Sequence, residues 1–445
     1  MRNALRSLAS AAVFLLPILL PIDETSAQAP DGRVVAFTGA RLIDGTGRAP
    51  IERAVLVVED GRVSAVGPES AVGVPAGAER IDISGKTIVP GLVNAHGHVQ
   101  VEQDSTLPVR DDLLRRLRMY ASYGVTTVVS LGSGARDEAE SVALAADQRA
   151  GRADGARLYT SGRAVAGRTP DESRAAVNRL ADLGVDVIKL RLNGGPNDPD
   201  FETFKAQVDQ AHARGLRTAV HIFNLEDAQM AVDAGVDVIG HSVRDQDVTP
   251  GFIAALKERN VYYVPTLTRD LSVFVYESTP AFFEDPFFLR GESLYREQIP
   301  MLSDPAYQQR VRQDANAQSI KRALEQAQRN LGLLAEAGVP IAMGTDSGAA
   351  GNPGRWQGYF EHVELEMMVE SGMTPMDALV AATGGAASAM GLADVGTLEA
   401  GKLADFIVLD ANPLDDIRNT RRIDSVWMSG RRVDGAASTG GSGGE

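Results

Sequence analysis

Between residues 33 and 88, apolar and polar positions alternate in short runs. They are Val34-Val35-Ala36-Phe37, Ala54-Val55-Leu56-Val57-Val58, Val63-Ser64-Ala65-Val66 and Arg80-Ile81-Asp82-Ile83. Gly, Asp and Pro separate them, so the segment predicts short β-strands joined by turns. The same texture returns after residue 395, in Gly396-Thr397-Leu398, Ala404-Asp405-Phe406-Ile407-Val408-Leu409 and Ser425-Val426-Trp427-Met428. The stretch between them reads differently. Apolar runs at 87–94, 125–131, 157–161, 185–190, 217–221, 236–241, 261–266 and 340–345 alternate with helix-period segments such as 175–183, 201–214 and 225–234. Gly184, Gly215, Gly235 and Gly338 stand where helices stop.

Eight strands, each followed by a helix, is the pattern of an α/β (β/α)8 TIM barrel. A doubly wound sheet is the alternative, but no phosphate-binding glycine fingerprint follows any of the strands. The two strand-rich ends predict a composite β-sandwich domain formed by the N- and C-terminal segments. The expected division is 30–88 and 392–435 for that domain, with the barrel over 89–391.

One connection, 267–339, is far longer than the rest. Its first part carries Phe274, Tyr276, Phe282, Phe283, Phe287, Phe288 and Tyr295, and 305–337 reads as one long helix. Such a loop is functional or disordered, and this one is too aromatic for disorder. It predicts a lid or substrate wall over 267–304. A packed helical excursion, or a contact between copies of the chain, is the alternative.

At the start, Arg2 and Arg6 precede an apolar run broken by Pro17 and Pro21, and Ala27-Gln28-Ala29 is a small-x-small site. Residues 1–29 therefore read as a signal peptide for export, too short for a comfortable membrane span, with a retained anchor as the alternative. A secreted or periplasmic protein is expected. The Gly/Ser-rich 436–445 predicts a disordered tail.

Composition narrows the chemistry. The chain is 44% hydrophobic and 23% charged, enough for a large core. Its net charge of −15 argues against nucleic acid and anionic membranes as partners. The absence of cysteine excludes disulfides, thiolate ligands and a cysteine nucleophile. Any metal must be held by nitrogen and oxygen.

Six histidines occur. His96 and His98 form H-x-H after an apolar strand, where i and i+2 share a face and both rings can meet one metal. His221 ends the fifth predicted strand, His241 the sixth, and Asp346 follows the eighth. All lie at the C-terminal rim, where such barrels carry their chemistry. Lys189, in Val187-Ile188-Lys189-Leu190, is out of place in a core, because a buried ammonium must pair or lose its charge. Carboxylation by carbon dioxide would give a carbamate able to bridge two metals. A lysine paired with a carboxylate such as Asp346 is the alternative.

These residues carry a resemblance. The chain resembles the amidohydrolase superfamily, in its imidazolonepropionase-like branch with the Xaa-Pro and Xaa-Arg dipeptidases. The matching stretches are Val89-Pro90-Gly91-Leu92-Val93-Asn94-Ala95-His96-Gly97-His98, Lys189, His221, Gly240-His241-Ser242, Gly344-Thr345-Asp346-Ser347 and the run from Gly396 to Asp405. The resemblance implies a binuclear amide or peptide hydrolase. In it His96, His98 and Asp346 bind a buried divalent ion and His221 and His241 a more exposed one. Carboxylated Lys189 and a hydroxide bridge the two. Zinc is the expected metal, and Asp346 the catalytic acid/base.

For the substrate, a dipeptide or an N-acyl amino acid, Arg163, Arg191, Arg244 and Arg269 follow predicted strands, with Arg244 nearest a ligand. Tyr263 is the expected inward tyrosine and oxyanion donor, with Tyr262 facing out. His362 is a supporting candidate on a helix after strand eight, where the resemblance has a similar His-x-Glu-Leu; His212 is a bystander. Two features depart from the resemblance: Ile222-Phe223-Asn224 stands where many relatives have a second histidine, and no histidine lies between His98 and His212. A mononuclear deaminase or cyclic-amide hydrolase, a lactonase, and a non-catalytic metal-binding protein remain alternatives. Association into a homo-oligomer is left open.

Overall fold

The computed structural model describes residues 32–433. The expected signal over 1–29 and the expected tail over 436–445 lie outside the described residues. The alternating runs at the start become β1 (Val34–Leu42), β2 (Ile51–Glu59), β3 (Arg62–Pro68), β4 (Glu79–Asp82) and β5 (Thr87–Pro90).

The chain then enters a second layer of parallel strands. β6 (Leu92–Gly97), β7 (Val125–Ser130) and β8 (Arg157–Thr160) form one parallel set. β9 (Val187–Arg191), β10 (Arg217–His221), β11 (Val238–Ile239) and β12 (Tyr262–Tyr263) form another. Backbone bonds link the two sets at both edges. Asp186 N donates to Thr160 O at 2.8 Å. On the far side Tyr263 bridges in parallel to Ile341, and Ala95 N donates to Met343 O at 2.9 Å. The result is a TIM-barrel-like α/β fold.

Period-two alternation decides which residues face inward. Val93, Ala95, Val129, Val187, Ala219, Val238 and Ala342 form one tight cluster within the ring. Val128, Ile188, Val220 and Ile239 pack outward beneath the helices. Lys189, two residues from Val187, shares the inward face. Side-chain caps at Thr169, Asp200, Asn224 and Thr249 start the following helices, satisfying amides with no partner inside the helix.

The C-terminal runs return to the first sheet as β13 (Phe406–Leu409), β14 (Ile423–Met428) and β15 (Arg431–Arg432). The order is β15-β14-β13-β5-β1-β2-β3, with β4 beside β1. Among the described residues the first and last strands thus meet, but in one hydrogen-bonded sheet of eight strands where a sandwich was expected. Arg157 on β8 ties this sheet to the barrel strands, donating to Asp405 at 2.7 Å and Ser429 at 2.6 Å.

Three local expectations change. The strand predicted over 87–94 divides at Gly91, with β5 in the terminal sheet and β6 in the barrel. A Cβ at Gly91 would lie 2.1 Å from Thr126 Oγ1, so only glycine lets the backbone cross there. The single helix over 305–337 is two, Pro305–Gln313 and Ala315–Glu336. Asp314 between them is extended and caps Ala317 N at 2.7 Å. The strand over 340–345 reduces to a bridge at Ile341, and Asp346 just beyond it holds a left-handed backbone, φ 56°.

The aromatic segment packs down. Phe283, Phe288 and Tyr295 gather round the buried Trp356 with ring centroids 5.9, 5.1 and 4.6 Å away. The segment is packed, and its residues Leu294, Tyr295 and Gln298 wall a cavity of about 420 Å³. No helix among the described residues is long and apolar enough to cross a membrane.

Candidate metal centre

Six side chains scattered over 250 positions of sequence converge at one rim of the barrel strands. Lys189 Nζ lies 3.1 Å from His96 Nε2. Asp346 Oδ1 lies 2.8 Å from His98 Nε2 and 3.2 Å from His96 Nε2. The His241 ring sits 4.6 Å from that of His96 and 4.4 Å from that of His221, centroid to centroid. Among the described residues, His96, His241 and Asp346 offer ligand atoms within 4.8 Å of one another.

The ring orientations are fixed from behind. His96 Nδ1 donates to Gly240 O at 2.6 Å, which requires the proton on Nδ1 and leaves Nε2 as a bare lone pair. His241 Nδ1 lies 2.7 Å from Thr266 Oγ1, so its Nε2 also turns inward. Thr266 holds a left-handed backbone (φ 50°). Buried Glu364 supports that turn by accepting from Leu267 N and Thr268 N, both at 2.7 Å. On the other side Asn94 accepts from His96 N and donates to Thr345 and to Glu361. Neighbours that orient ligands in this way are a regular part of metal sites.

Electrostatics favour lone pairs over protons. Burial, then the nearby Lys189, pushes His96 down to about 3. Burial holds His241 well below the ordinary imidazole range and lowers His221 too. Lys189 falls to about 7 by burial, against the pull of Asp346, so neutral amine is available near neutral pH. Burial works against ionisation of Asp346, but Arg355 and the two histidines hold its carboxyl well below the usual range.

These facts test whether a metal fits. Neutral His96 Nε2 and ionised Asp346 Oδ1 are both acceptors, yet they face each other at 3.2 Å in a buried site. Two lone pairs held that close need a cation between them. Ligand atoms round a tetrahedral zinc with bonds of ~2.0–2.1 Å stand ~3.3 Å apart, which matches this spacing. The donor set fits a divalent ion.

The substrate residues read from sequence fare differently. Arg244 has no exposed side-chain surface and makes two 2.8 Å bonds to Asp270 and one to Ile222 O. It is locked in the protein and corrected from substrate reader to structural ion pair. Tyr263 is also corrected. It packs in the outer cluster, and its hydroxyl accepts from Val243 N at 2.7 Å. Tyr262 is the one that meets the inner cluster. His362 lies away from the centre, bonded to Tyr123 O at 2.8 Å and Thr420 Oγ1 at 3.0 Å, so it is a buried packing residue. In its His-x-Glu-Leu run, Glu364 is the member that reaches the site. Arg163 turns to Glu138, and His212 is half-exposed beside Asp237. Arg269 does approach the centre, with Nε 4.0 Å from Asp346 Oδ2. Arg355, which sequence reasoning missed, donates to the same oxygen at 2.5 Å. It lies nine residues beyond Asp346 in an irregular loop, with no periodicity to reveal it.

Residues 87–433 match the amidohydrolase family. Ochratoxinase of Aspergillus niger is 28% identical over 281 residues, covering 60% of this chain and 50% of that protein. The chain thus spans about half the length of the first curated relatives it matches. A solved structure from Bifidobacterium longum, provisionally named a prolidase, superposes with TM-score 0.73 at 27% identity, covering 90% of this chain and 94% of that one. An Xaa-Pro dipeptidase with bound methionine in its active site has the same fold, with TM-score 0.69, 23% identity and coverage of 90% and 99%. The match spans the terminal sheet's last strands, the barrel strands and every residue of the candidate centre, and on that ground the chain belongs to the amidohydrolase family.

Proposed function

We propose that this protein is a metal-dependent hydrolase that cleaves an amide or peptide bond at a dinuclear centre, in a dipeptide or an N-acyl amino acid. The observation that carries the reading is Lys189 Nζ, buried 3.1 Å from His96 Nε2 inside the histidine–aspartate ring. Its hydrogen-bond partner is an imidazole lone pair, while Asp346 pulls on its charge. The relatives named ochratoxinase and Xaa-Pro dipeptidase support the substrate class.

His96, His98 and Asp346 would hold one ion, His221 and His241 the other, and Lys189 would join them. The Lys189 amine, neutral in part near pH 7, adds to carbon dioxide and releases one proton, giving a carbamate with two oxygens. Two divalent ions, zinc by the nitrogen and oxygen donor set, would supply hydroxide at neutral pH and polarise the scissile carbonyl. Asp346 accepts the proton released on attack and delivers it to the leaving amine. A mononuclear hydrolase would not need Lys189. We further read 1–29 as an export signal, 30–88 with 392–435 as one β-domain, and 89–391 as a closed eight-stranded barrel.

Metal analysis after loading with zinc and bicarbonate tests the reading. Close to two equivalents per chain are expected for the wild type and close to one for Lys189→Ala. Amide hydrolysis across a dipeptide and N-acyl amino acid library should be abolished by a chelator and restored by zinc. One equivalent in the wild type would favour the mononuclear alternative. No turnover of amides, lactones or esters by the metal-loaded protein would sink catalysis altogether.

A further inference from the structure

Behind the candidate centre one helix carries two buried acids that the proposed chemistry does not use. Glu361 and Glu364 lie three residues apart on the helix Tyr359–Glu370, so they share a face, and neither has exposed surface. That face is fixed in place. Gly358 starts the helix at φ 83°, and a Cβ there would lie 2.4 Å from Tyr123 Cδ2. His362, next to Glu361, bonds Tyr123 O at 2.8 Å and Thr420 Oγ1 at 3.0 Å. Phe360, Leu365 and Met368 are buried around it.

The two acids reach different ligands. Glu361 Oε1 accepts from Asn94 Nδ2 at 2.6 Å, Thr345 Oγ1 at 2.9 Å and Ser347 Oγ at 3.1 Å. Asn94 Oδ1 accepts from His96 N at 2.9 Å, so its amide hydrogens must face Glu361 and Thr345. Thr345 and Ser347 flank Asp346 in its left-handed turn. One oxygen thus pins the backbone of His96 and both neighbours of Asp346, while Glu361 Oε2 is buried without a partner. Glu364 uses both of its oxygens, and elsewhere. Oε1 accepts from Leu267 N at 2.7 Å, and Oε2 from Thr268 N at 2.7 Å and Thr268 Oγ1 at 2.6 Å. Those residues follow Thr266, whose Oγ1 bonds His241 Nδ1 at 2.7 Å.

We propose that this helix braces the two ion sites separately: Glu361 is the positioning residue for the site of His96, His98 and Asp346, and Glu364 for the site that includes His241. This rests on the proposed dinuclear centre. The bonding patterns give the two acids different requirements. Glu361 uses one oxygen as an acceptor. A glutamine, with its carbonyl oxygen in that place and its amide on the unpartnered side, meets the same need. Glu364 must accept at both oxygens, since each faces a backbone N–H, and a glutamine would set an amide donor against one of them. An acid that merely filled space would not draw that distinction. Loss of a residue that orients metal ligands lowers metal affinity ~10–100-fold.

Cobalt(II) is the probe, titrated into metal-free protein and followed by calorimetry and by its visible absorption. The wild type should take two ions. In a His241→Ala background, which keeps His96, His98 and Asp346, one ion should remain. There Glu361→Met should weaken that ion ~10–100-fold and shift its visible bands, Glu361→Gln should restore both, and Glu364→Gln should change neither. With His241 present, Glu364→Gln should weaken the second ion ~10-fold or more and leave the first. Thr345→Val removes an oxygen shared by Asn94 and Glu361, should weaken the first ion in the same way, and serves if Glu361→Met fails to fold. Glutamine tolerated at both positions or at neither, losses at both sites from either variant, or unchanged binding throughout would overturn the proposal. Fewer than two ions in the wild type sinks the dinuclear centre and this inference with it. Two ions with these losses but no hydrolysis sinks only the proposed activity.

Discussion

Asp270→Asn examines the claim that Arg244 belongs to the framework. Both side chains are fully buried. The amide keeps the shape of the carboxylate but strands the Arg244 guanidinium, whose remaining contacts are Ile222 O at 3.2 Å and the Phe223 ring at 4.7 Å. Removing one partner of a buried ion pair costs about 3–5 kcal/mol. Unfolding entropy of ~2.1 cal/mol/K per residue gives ~0.9 kcal/mol/K for the 445-residue chain, so Tm should fall by about 3–5 °C. Arg244→Met should cost less, because Asp270 keeps Arg269 as a partner. The double variant Arg244→Met with Asp270→Leu should recover much of the loss. Calorimetric melts in low and high salt provide the assay, and burial predicts the same drop in both. A shift below about 1 °C, or an Arg244→Met variant with raised KM and untouched Tm, would refute the reasoning and return Arg244 to substrate binding.

Three further outcomes are expected. Asp346→Asn should lower kcat by ~10²–10⁴ in the metal-loaded protein, with metal content measured alongside to separate proton transfer from loss of the site. Tyr263→Phe should leave kcat and KM unchanged but destabilise by about 1–3 kcal/mol in denaturant melts, because it deprives the buried Val243 N of its acceptor. Burial raises Glu361 to about 7, above its unfolded value of 4.5, so its contribution to stability is full below about pH 4.5 and is lost as pH rises through 7. Glu361→Gln should therefore flatten the decline of Tm between those values, and an unchanged slope would show that the group does not titrate there.

Much of the centre is legible in the sequence because its residues obey strand arithmetic. His96 and His98 are two apart, Lys189 interrupts an apolar strand, and His221, His241 and Asp346 each close one. The supporting set obeys no such rule. Glu364 acts from a helix surface onto the Thr266 turn, and Arg355 from a loop whose position depends on rings some sixty residues earlier in the chain, as with Tyr295. Tyr263 misled because in a two-residue strand the alternation has no second period to fix its phase.

What the sequence determined alone is therefore periodic. It set the alternation of strands and helices, the return of the last strands to the first sheet, and the six side chains that gather at one rim. What the tertiary structure decided is aperiodic: which arginine pairs with Asp270 and which with Asp346, which tyrosine faces in, and that the terminal strands share one sheet. Backbone hydrogen bonding and apolar burial repeat along the chain and leave a pattern there. The pairing of individual charges depends on which loops come to lie side by side, and no local spacing encodes it.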